Sequence, residues 1–185
     1  LDLLARWNKV YNLTAVREPE QMLAQHLLDS LAVIAPLRSH AGGRPLRLLD
    51  VGSGGGLPGV VIAICCPDID VSCVDAVGKK AAFVQQVAGA LALPNLRGRH
   101  ARVESIAERH DVVIARAFAS LADFTAWSAG ALAEGGVWVA MKGRRPDDEI
   151  AALPPSVEVF HVEQLSVPGL DAERCLVWLR LKCST

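Results

Sequence analysis

No stretch of the sequence reaches the roughly 18 consecutive apolar residues that a bilayer-spanning helix requires; the longest candidate, 60–66, falls far short. No charged-then-apolar segment of the secretory kind opens the chain. No C-x-x-C pair occurs, and the five cysteines, Cys65, Cys66, Cys73, Cys175 and Cys183, are odd in number and sit mostly in apolar segments. A disulfide framework and a thiol-based zinc site are therefore disfavoured, no metal is expected, and buried thiols in the reducing cytoplasm are. A starting Met is also missing: Leu1 opens partway into a helical pattern, which reads as an absent N-terminal piece. Internal repeats, low-complexity tracts and interdomain linkers are absent too, so one domain over 1–185 is expected.

Excess charge of either sign is likewise lacking, since the formal net charge is −1. That does not exclude a nucleic-acid partner, because phosphate contacts need only a local basic face. Three local clusters could supply one: Lys79-Lys80, then Arg97, Arg99, His100 and Arg102, then Lys142, Arg144 and Arg145.

What is present is the patterning of a globular protein, and it changes character near residue 45. Residues 1–40 read as helical: Leu3, Leu4 and Trp7 share a face, Asn12-Leu13-Thr14 breaks the pattern, and Pro19 suits the first turn of a second helix in which Leu23, Leu27, Leu31 and Ile34 recur. Short apolar runs ended by glycine or charge follow at 46–51, 71–75, 96–100, 111–115 and 137–141, as buried parallel strands would. Helical patterns lie between them, at 58–65, 79–91 and 121–132, and a short helix is predicted after Pro146. The last two runs, 157–165 and 174–181, leave no room for a crossover helix and should pair antiparallel. Strands alternating with helices over 46–182, behind an N-terminal helical segment, predict an α/β doubly wound sheet of seven strands, mostly parallel and closed by a hairpin.

The strongest chemical signal is Asp50-Val51-Gly52-Ser53-Gly54-Gly55-Gly56-Leu57-Pro58-Gly59, directly after the first strand, with Asp75 ending the next. Glycines there let the chain turn sharply and let a ligand approach main-chain N–H groups. Asp75 stands where a carboxylate can accept hydrogen bonds from a ribose. Gly54 to Gly59 formally satisfies the G-x-G-x-x-G pattern of nicotinamide and flavin enzymes, but that version puts Pro58 inside the phosphate turn. Asp50 would repel a pyrophosphate, whereas a carboxylate suits the ammonium and sulfonium of S-adenosylmethionine. Asp50 followed by Gly52 and Gly54 therefore favours the methyl donor over the dinucleotide. A tight turn that holds no ligand is the bland alternative, and the strand-end Asp75 speaks against it.

In an open α/β sheet, ligands bind outside the carboxyl ends of the strands. That gathers Asp50, Asp75, Val103, Glu104 and Arg116 around one crevice, with Val103 and Glu104 on the adenine side and Arg116 facing the methyl acceptor. The residues after the fourth strand, Ala115-Arg116-Ala117-Phe118-Ala119-Ser120, lack the Asn/Asp-Pro-Pro-Tyr/Phe pattern of enzymes that modify exocyclic amines. Methylation of pyrimidine carbon five needs a cysteine nucleophile, and none is expected near this end of the sheet. A ring nitrogen such as guanine N7 needs neither device; it needs only in-line positioning. No general base is therefore nominated. Arg116 is a candidate for acceptor positioning, and Lys142, Arg144 and Arg145 are the candidates for phosphate contacts.

At this point the sequence resembles the bacterial ribosomal RNA small-subunit methyltransferase G family, also called glucose-inhibited division protein B. The resemblance runs from Trp7 to Lys182 through Trp7-Asn8-Lys9-Val10-Tyr11-Asn12-Leu13-Thr14, His26-Leu27-Leu28-Asp29-Ser30-Leu31, the glycine loop, Arg116-Ala117-Phe118-Ala119-Ser120 and Met141-Lys142-Gly143. It implies a class I, Rossmann-like methyltransferase fold and S-adenosylmethionine-dependent N7 methylation of one guanine in a decoding-site loop of 16S ribosomal RNA. It implies donor contacts at Gly52, Leu57, Val103, Glu104 and Arg116, with Asp75 in the place of the ribose-binding acid. It also implies further helical residues ahead of Leu1; if those touch RNA, this chain binds donor normally and methylates poorly. Asn12 is an expected RNA contact, although Asn12 and Thr14 would equally end a helix and cap a turn. His26 and Trp7 are expected to be structural. The expected partner is 16S ribosomal RNA or the small subunit during assembly, met by a monomer with no membrane attachment.

Overall fold

The structure, a computed structural model, describes residues 2–11, 13 and 23–182. Asn12, Thr14 and Pro19, three positions of the sequence reading, lie outside the described residues. Helix α1 is Asp2–Tyr11. A π-helical stretch, Leu23–Leu28, runs into α2, Asp29–Leu31, and a break at Ala32 and Val33 separates it from α3, Ile34–Ala41. The continuous second helix predicted from Pro19 is thus interrupted, and Leu23 and Leu31 are exposed while Ser30 and Asp29 are buried. The polar pair, not the leucine stripe, faces inward here.

The remainder alternates as predicted. The strands are β1 (Leu46–Val51), β2 (Ile69–Asp75), β3 (Leu96–His100), β4 (His110–Arg116), β5 (Leu132–Lys142), β6 (Val157–Leu165) and β7 (Arg174–Leu181). The helices are α4 (Gly59–Cys65), α5 (Gly78–Ala90), α6 (Leu121–Ser128) and α7 (Asp147–Ala151). The strands form one sheet in the order β3-β2-β1-β4-β5-β7-β6. β1 to β5 pair parallel, and β7 joins antiparallel to both β5 and β6. β5 begins five residues earlier than its apolar run suggests, because Gly135 and Gly136 are carried inside the strand beside a bulge rather than ahead of it.

Both faces of the sheet are covered, so alternate residues of one strand enter different cores. Leu48, Val112, Ile114 and Val139 pack with Val33, Leu37, Ile62, Phe83 and Val84. Leu49, Val51, Val113 and Trp138 pack on the opposite face with Leu121 and Phe124 of α6. The Trp138 indole N–H donates to Ser128 Oγ at 2.9 Å, which satisfies its polar atom in that core. Trp7 packs at the rim of the first core against Phe83, as its structural reading requires. Among the described residues no helix is long and apolar enough to cross a membrane.

Strand order reverses between β1 and β4, since β2 and β3 lie on one side of β1 and β4 and β5 on the other. The loops after β1 and β4 leave in opposite directions and open a crevice between them.

Candidate functional site

The wall after β1 is the glycine loop. Gly52 and Gly54 have φ of +64° and +56°, the left-handed region that side chains avoid. At Gly52 a Cβ would also collide with the Phe118 ring, so glycine is required there twice over. The N–H of Gly52 donates to Val74 O at 2.9 Å, and the N–H of Gly54 donates to Asp75 Oδ2 at 3.0 Å. Asp75 Oδ1 accepts the Val77 N–H at 2.8 Å, and Lys80 Nζ stands 3.8 Å from Oδ2. Asp75 therefore ties the loop after β1 to the loop after β2, a role the sequence reading did not give it.

Asp50 lies beneath this loop and has no exposed surface. Its Oδ2 accepts the N–H of Gly59 at 2.8 Å, which fixes the start of α4 to the end of β1. A Cβ at Gly59 would meet Cys73 Sγ and Asp50 Oδ2, so only glycine admits this approach. Burial pushes the Asp50 carboxyl up to about 7, against the opposing pull of the Gly59 N–H and Arg116. Among the described residues Asp50 Oδ1 and Ser53 Oγ have no nitrogen or oxygen as hydrogen-bond partner. Ser53 is 4% exposed and lines the crevice, and its hydroxyl has the Cys73 thiol, a weak partner, beside it.

The opposite wall follows β4. Arg116 Nη1 donates to Gln25 O at 3.0 Å and to Asp29 Oδ2 at 3.2 Å. Arg174 Nε donates to Asp29 Oδ1 at 2.9 Å. Ala117, next along, has φ +50°, an unusual conformation for alanine, and faces the same opening. Gly52, Gly54, Leu57 and Arg116, together with Ser53, Asp29, Arg174 and Lys142, surround one cavity of about 500 Å³. His26 also lines it and is buried, which holds its pKa below the usual histidine range, with Arg116 adding to the effect.

Six sequence candidates do not line this cavity: Asp50 and Asp75, whose carboxylates are turned to backbone N–H groups, and Val103, Glu104, Arg144 and Arg145. Val103 is buried and Glu104 exposed in the short turn Val103–Ser105 after β3. Arg144 and Arg145 line a separate shallow groove of about 610 Å³ with Lys142 and with Asp147, Asp148 and Glu149. Arg145 pairs with Asp147 at 2.7 Å, and Lys142 Nζ donates to Glu149 Oε2 at 2.8 Å. The basic cluster is therefore largely answered by the acidic start of α7. Arg97 and Arg99 are likewise paired, with Asp70 and Glu108.

The expectation that no cysteine lies near this end of the sheet is corrected. Cys175 is the second residue of β7 and pairs in register with Lys142. Antiparallel β7 starts where the parallel strands end, which a reading by strand order alone overlooks. Cys175 is fully buried and burial raises its thiol pKa, so it is not an activated nucleophile. Sequence reasoning also passed over Asp29, Ser53 and Arg174. Arg174 was legible as a charge opening an otherwise apolar strand; Asp29 and Ser53 carried no signal beyond lying in the quoted motifs.

The family profile described as rRNA small subunit methyltransferase G matches residues 1–177. The chain is 69% identical over 188 aligned residues to ribosomal RNA small subunit methyltransferase G of Acidovorax sp. (strain JS42), covering 97% of this chain and 83% of that one. It is 63% identical to the protein of the same name from Methylibium petroleiphilum, covering 98% and 83%. Among solved structures, TrmN from Thermus thermophilus is similar with a TM-score of 0.65 at 20% identity, over 86% of this chain and 53% of that one. Magnesium protoporphyrin IX methyltransferase from Synechocystis PCC 6803 with bound SAH is similar with a TM-score of 0.64 at 16% identity, over 95% and 92%. These structural likenesses concern the fold, that of Rossmann-like methyltransferases.

Proposed function

The chain belongs to the rRNA small subunit methyltransferase G family, and from that premise we propose that it methylates N7 of one guanine in the decoding-site loop of 16S ribosomal RNA, using S-adenosylmethionine, as a monomer in the cytoplasm. The observation that carries this reading is the shared cavity of about 500 Å³, walled by the glycine loop on one side and by arginines on the other.

The residues fit the methyl donor. Gly54 offers backbone with no side chain against it, and the Ser53 hydroxyl beside it lines the cavity. Leu57 supplies apolar contact, with Asp75, Val103 and Glu104 on the adenosine side and Arg116 on the acceptor side. Asp50 works from below, through its grip on Gly59 and through its charge, rather than by touching the ligand. S-adenosylmethionine supplies, when bound, a methyl group on a sulfonium that a lone pair can attack directly.

The acceptor asks little more than placement. Guanine N7 loses no proton on methylation, so the chain needs no general base. What its residues must do is bring nitrogen, carbon and sulfur into line. Arg116 is held in place by Gln25 O and Asp29 and is suited to orient the purine or its backbone. Lys142, Arg144 and Arg145 remain candidates for phosphate contacts, with Lys142 and Arg145 exchanging their carboxylate partners for phosphate.

Small ribosomal subunits from cells lacking this methyl group, incubated with the protein and donor labelled in the methyl group, test the reading. Label is expected in 16S RNA at a single guanine, and reduction followed by aniline treatment should cleave the RNA there, because N7-methylguanine is labile to that chemistry. Label that survives without cleavage would place the methyl group elsewhere on the base.

A further inference from the structure

Two arginines reach the crevice from strands that are not neighbours and share one carboxylate. Arg116 ends β4 and Arg174 begins β7, with β5 between them in the sheet. Asp29 is 5% exposed and gives one oxygen to each, at 3.2 Å and 2.9 Å. Two cations against one anion leave an excess positive charge in a partly closed site. Without Asp29 the guanidinium groups would repel each other.

A guanidinium has five N–H donors in a fixed fork. Arg116 uses Nη1 alone, on Gln25 O and Asp29, so its Nε and Nη2 edge has no partner among the described residues. Arg174 uses Nε on Asp29 and Nη1 on Glu173 O, so its Nη2 is without a partner among the described residues as well. The side chains are 20% and 25% exposed, and both line the cavity. The free Nε and Nη2 edge of Arg116 is a fork that matches two oxygens of a phosphate, and Nη2 of Arg174 adds a further donor on the same cavity.

Position separates Arg174 from the glycine loop, whereas Arg116, on β4, adjoins it. Arg174 lies three strands from β1, which carries the glycine loop. At the usual inter-strand spacing that is about 14 Å. The donor carries an ammonium and a sulfonium against one carboxylate, so its net charge is positive, and an excess of positive charge suits it less than it suits a phosphodiester.

Resting on the reading of this chain as an RNA methyltransferase, we propose that Arg174, with the free edge of Arg116, holds a backbone phosphate beside the methylated base. Asp29 is the positioning residue that keeps the two guanidinium groups together.

The test measures kcat and KM for small subunits lacking the methyl group across a series of KCl concentrations, with the donor Kd measured separately. Arg174→Gln is expected to raise KM at least tenfold and to reduce the slope of log(kcat/KM) against log[KCl] by about one, as loss of one phosphate contact does. Its donor Kd should stay within twofold. Arg174→Lys should restore the slope but not the full kcat/KM, because an ammonium lacks the planar set of donors that grips Asp29 and Glu173 O while presenting Nη2 to the phosphate. Asp29→Asn should raise KM with a steeper slope, since both cations remain while their counter-charge is lost. An unchanged slope in Arg174→Gln, or a donor Kd weakened tenfold, would overturn the proposal. If Arg174→Gln does not fold, full kcat/KM in Arg174→Lys overturns it instead. Donor binding by the unaltered protein with no label in any ribosomal RNA would sink the functional reading rather than the assignment of Arg174.

Discussion

At the scale of single residues, the buried Asp50 sets a pH dependence that can be read before any substrate is involved. Burial raises its carboxyl from an ordinary 3.8 to about 7 in the folded protein. The folded state then binds the proton more tightly than the unfolded chain, so stability falls as pH rises from about 4 to about 7 and levels off above that. The full effect is about 4 kcal/mol, an upper figure for one group. Asn at this position keeps an oxygen for the Gly59 N–H and removes the charge. Asp50→Asn is therefore expected to raise Tm more at pH 8 than at pH 5; equal gains at both would contradict this account of Asp50. Asp75 acts through structure, since both its oxygens hold loop N–H groups. Asp75→Ala should loosen the glycine loop and weaken donor binding at least tenfold by calorimetry, with a change in Tm of a few degrees at most. Asp50 and Asp75 were both legible as strand-end acids, yet what each touches was not. Whether a carboxylate faces a ligand or a backbone N–H depends on a turn of the chain that spacing does not specify.

At the scale of elements, the glycine loop and the segment after β4 are built against each other. Phe118 lies over Gly52, and Phe118 in turn meets Phe124 and Trp127 edge-on, at 6.3 Å and 5.9 Å between ring centres. Gly52→Ala asks for a left-handed alanine, costing about 1 kcal/mol, and also displaces the ring. The expected result is a lowered Tm and donor affinity lost by at least an order of magnitude; a variant with unchanged donor Kd would show that the two walls are independent. α6 is set by Ser120, whose hydroxyl accepts the Asp123 N–H, and by Glu149, which accepts the Leu121 N–H at 2.7 Å while pairing with Lys142. Glu149→Gln keeps an acceptor for Leu121 and releases Lys142. It is expected to tighten RNA binding two- to threefold at low salt, and loss of binding would mean that Lys142 works only when so held. The strands were readable from short apolar runs because both faces of the sheet are buried. The second helix was not, because the buried Asp29 answers the arginine pair across the crevice, a tertiary cause that helical periodicity does not carry.

At the scale of the whole molecule, the order β3-β2-β1-β4-β5-β7-β6 creates the opening that the glycine loop, Arg116 and Arg174 line. A glycine loop after β1 and an acid after β2 belong to dinucleotide enzymes as well as to methyltransferases, and topology alone does not separate them. The buried acid below the loop and the arginines opposite it do, by charge: they favour a cationic donor on one side and an anionic acceptor on the other. Calorimetric titration of the intact protein with S-adenosylmethionine, alongside NAD, is therefore the most direct test of the central claim. The account predicts saturable, micromolar, one-to-one binding of the methyl donor, weakened in Asp50→Ala, and no heat with NAD. Tighter binding of NAD, or no binding of the donor, would contradict it.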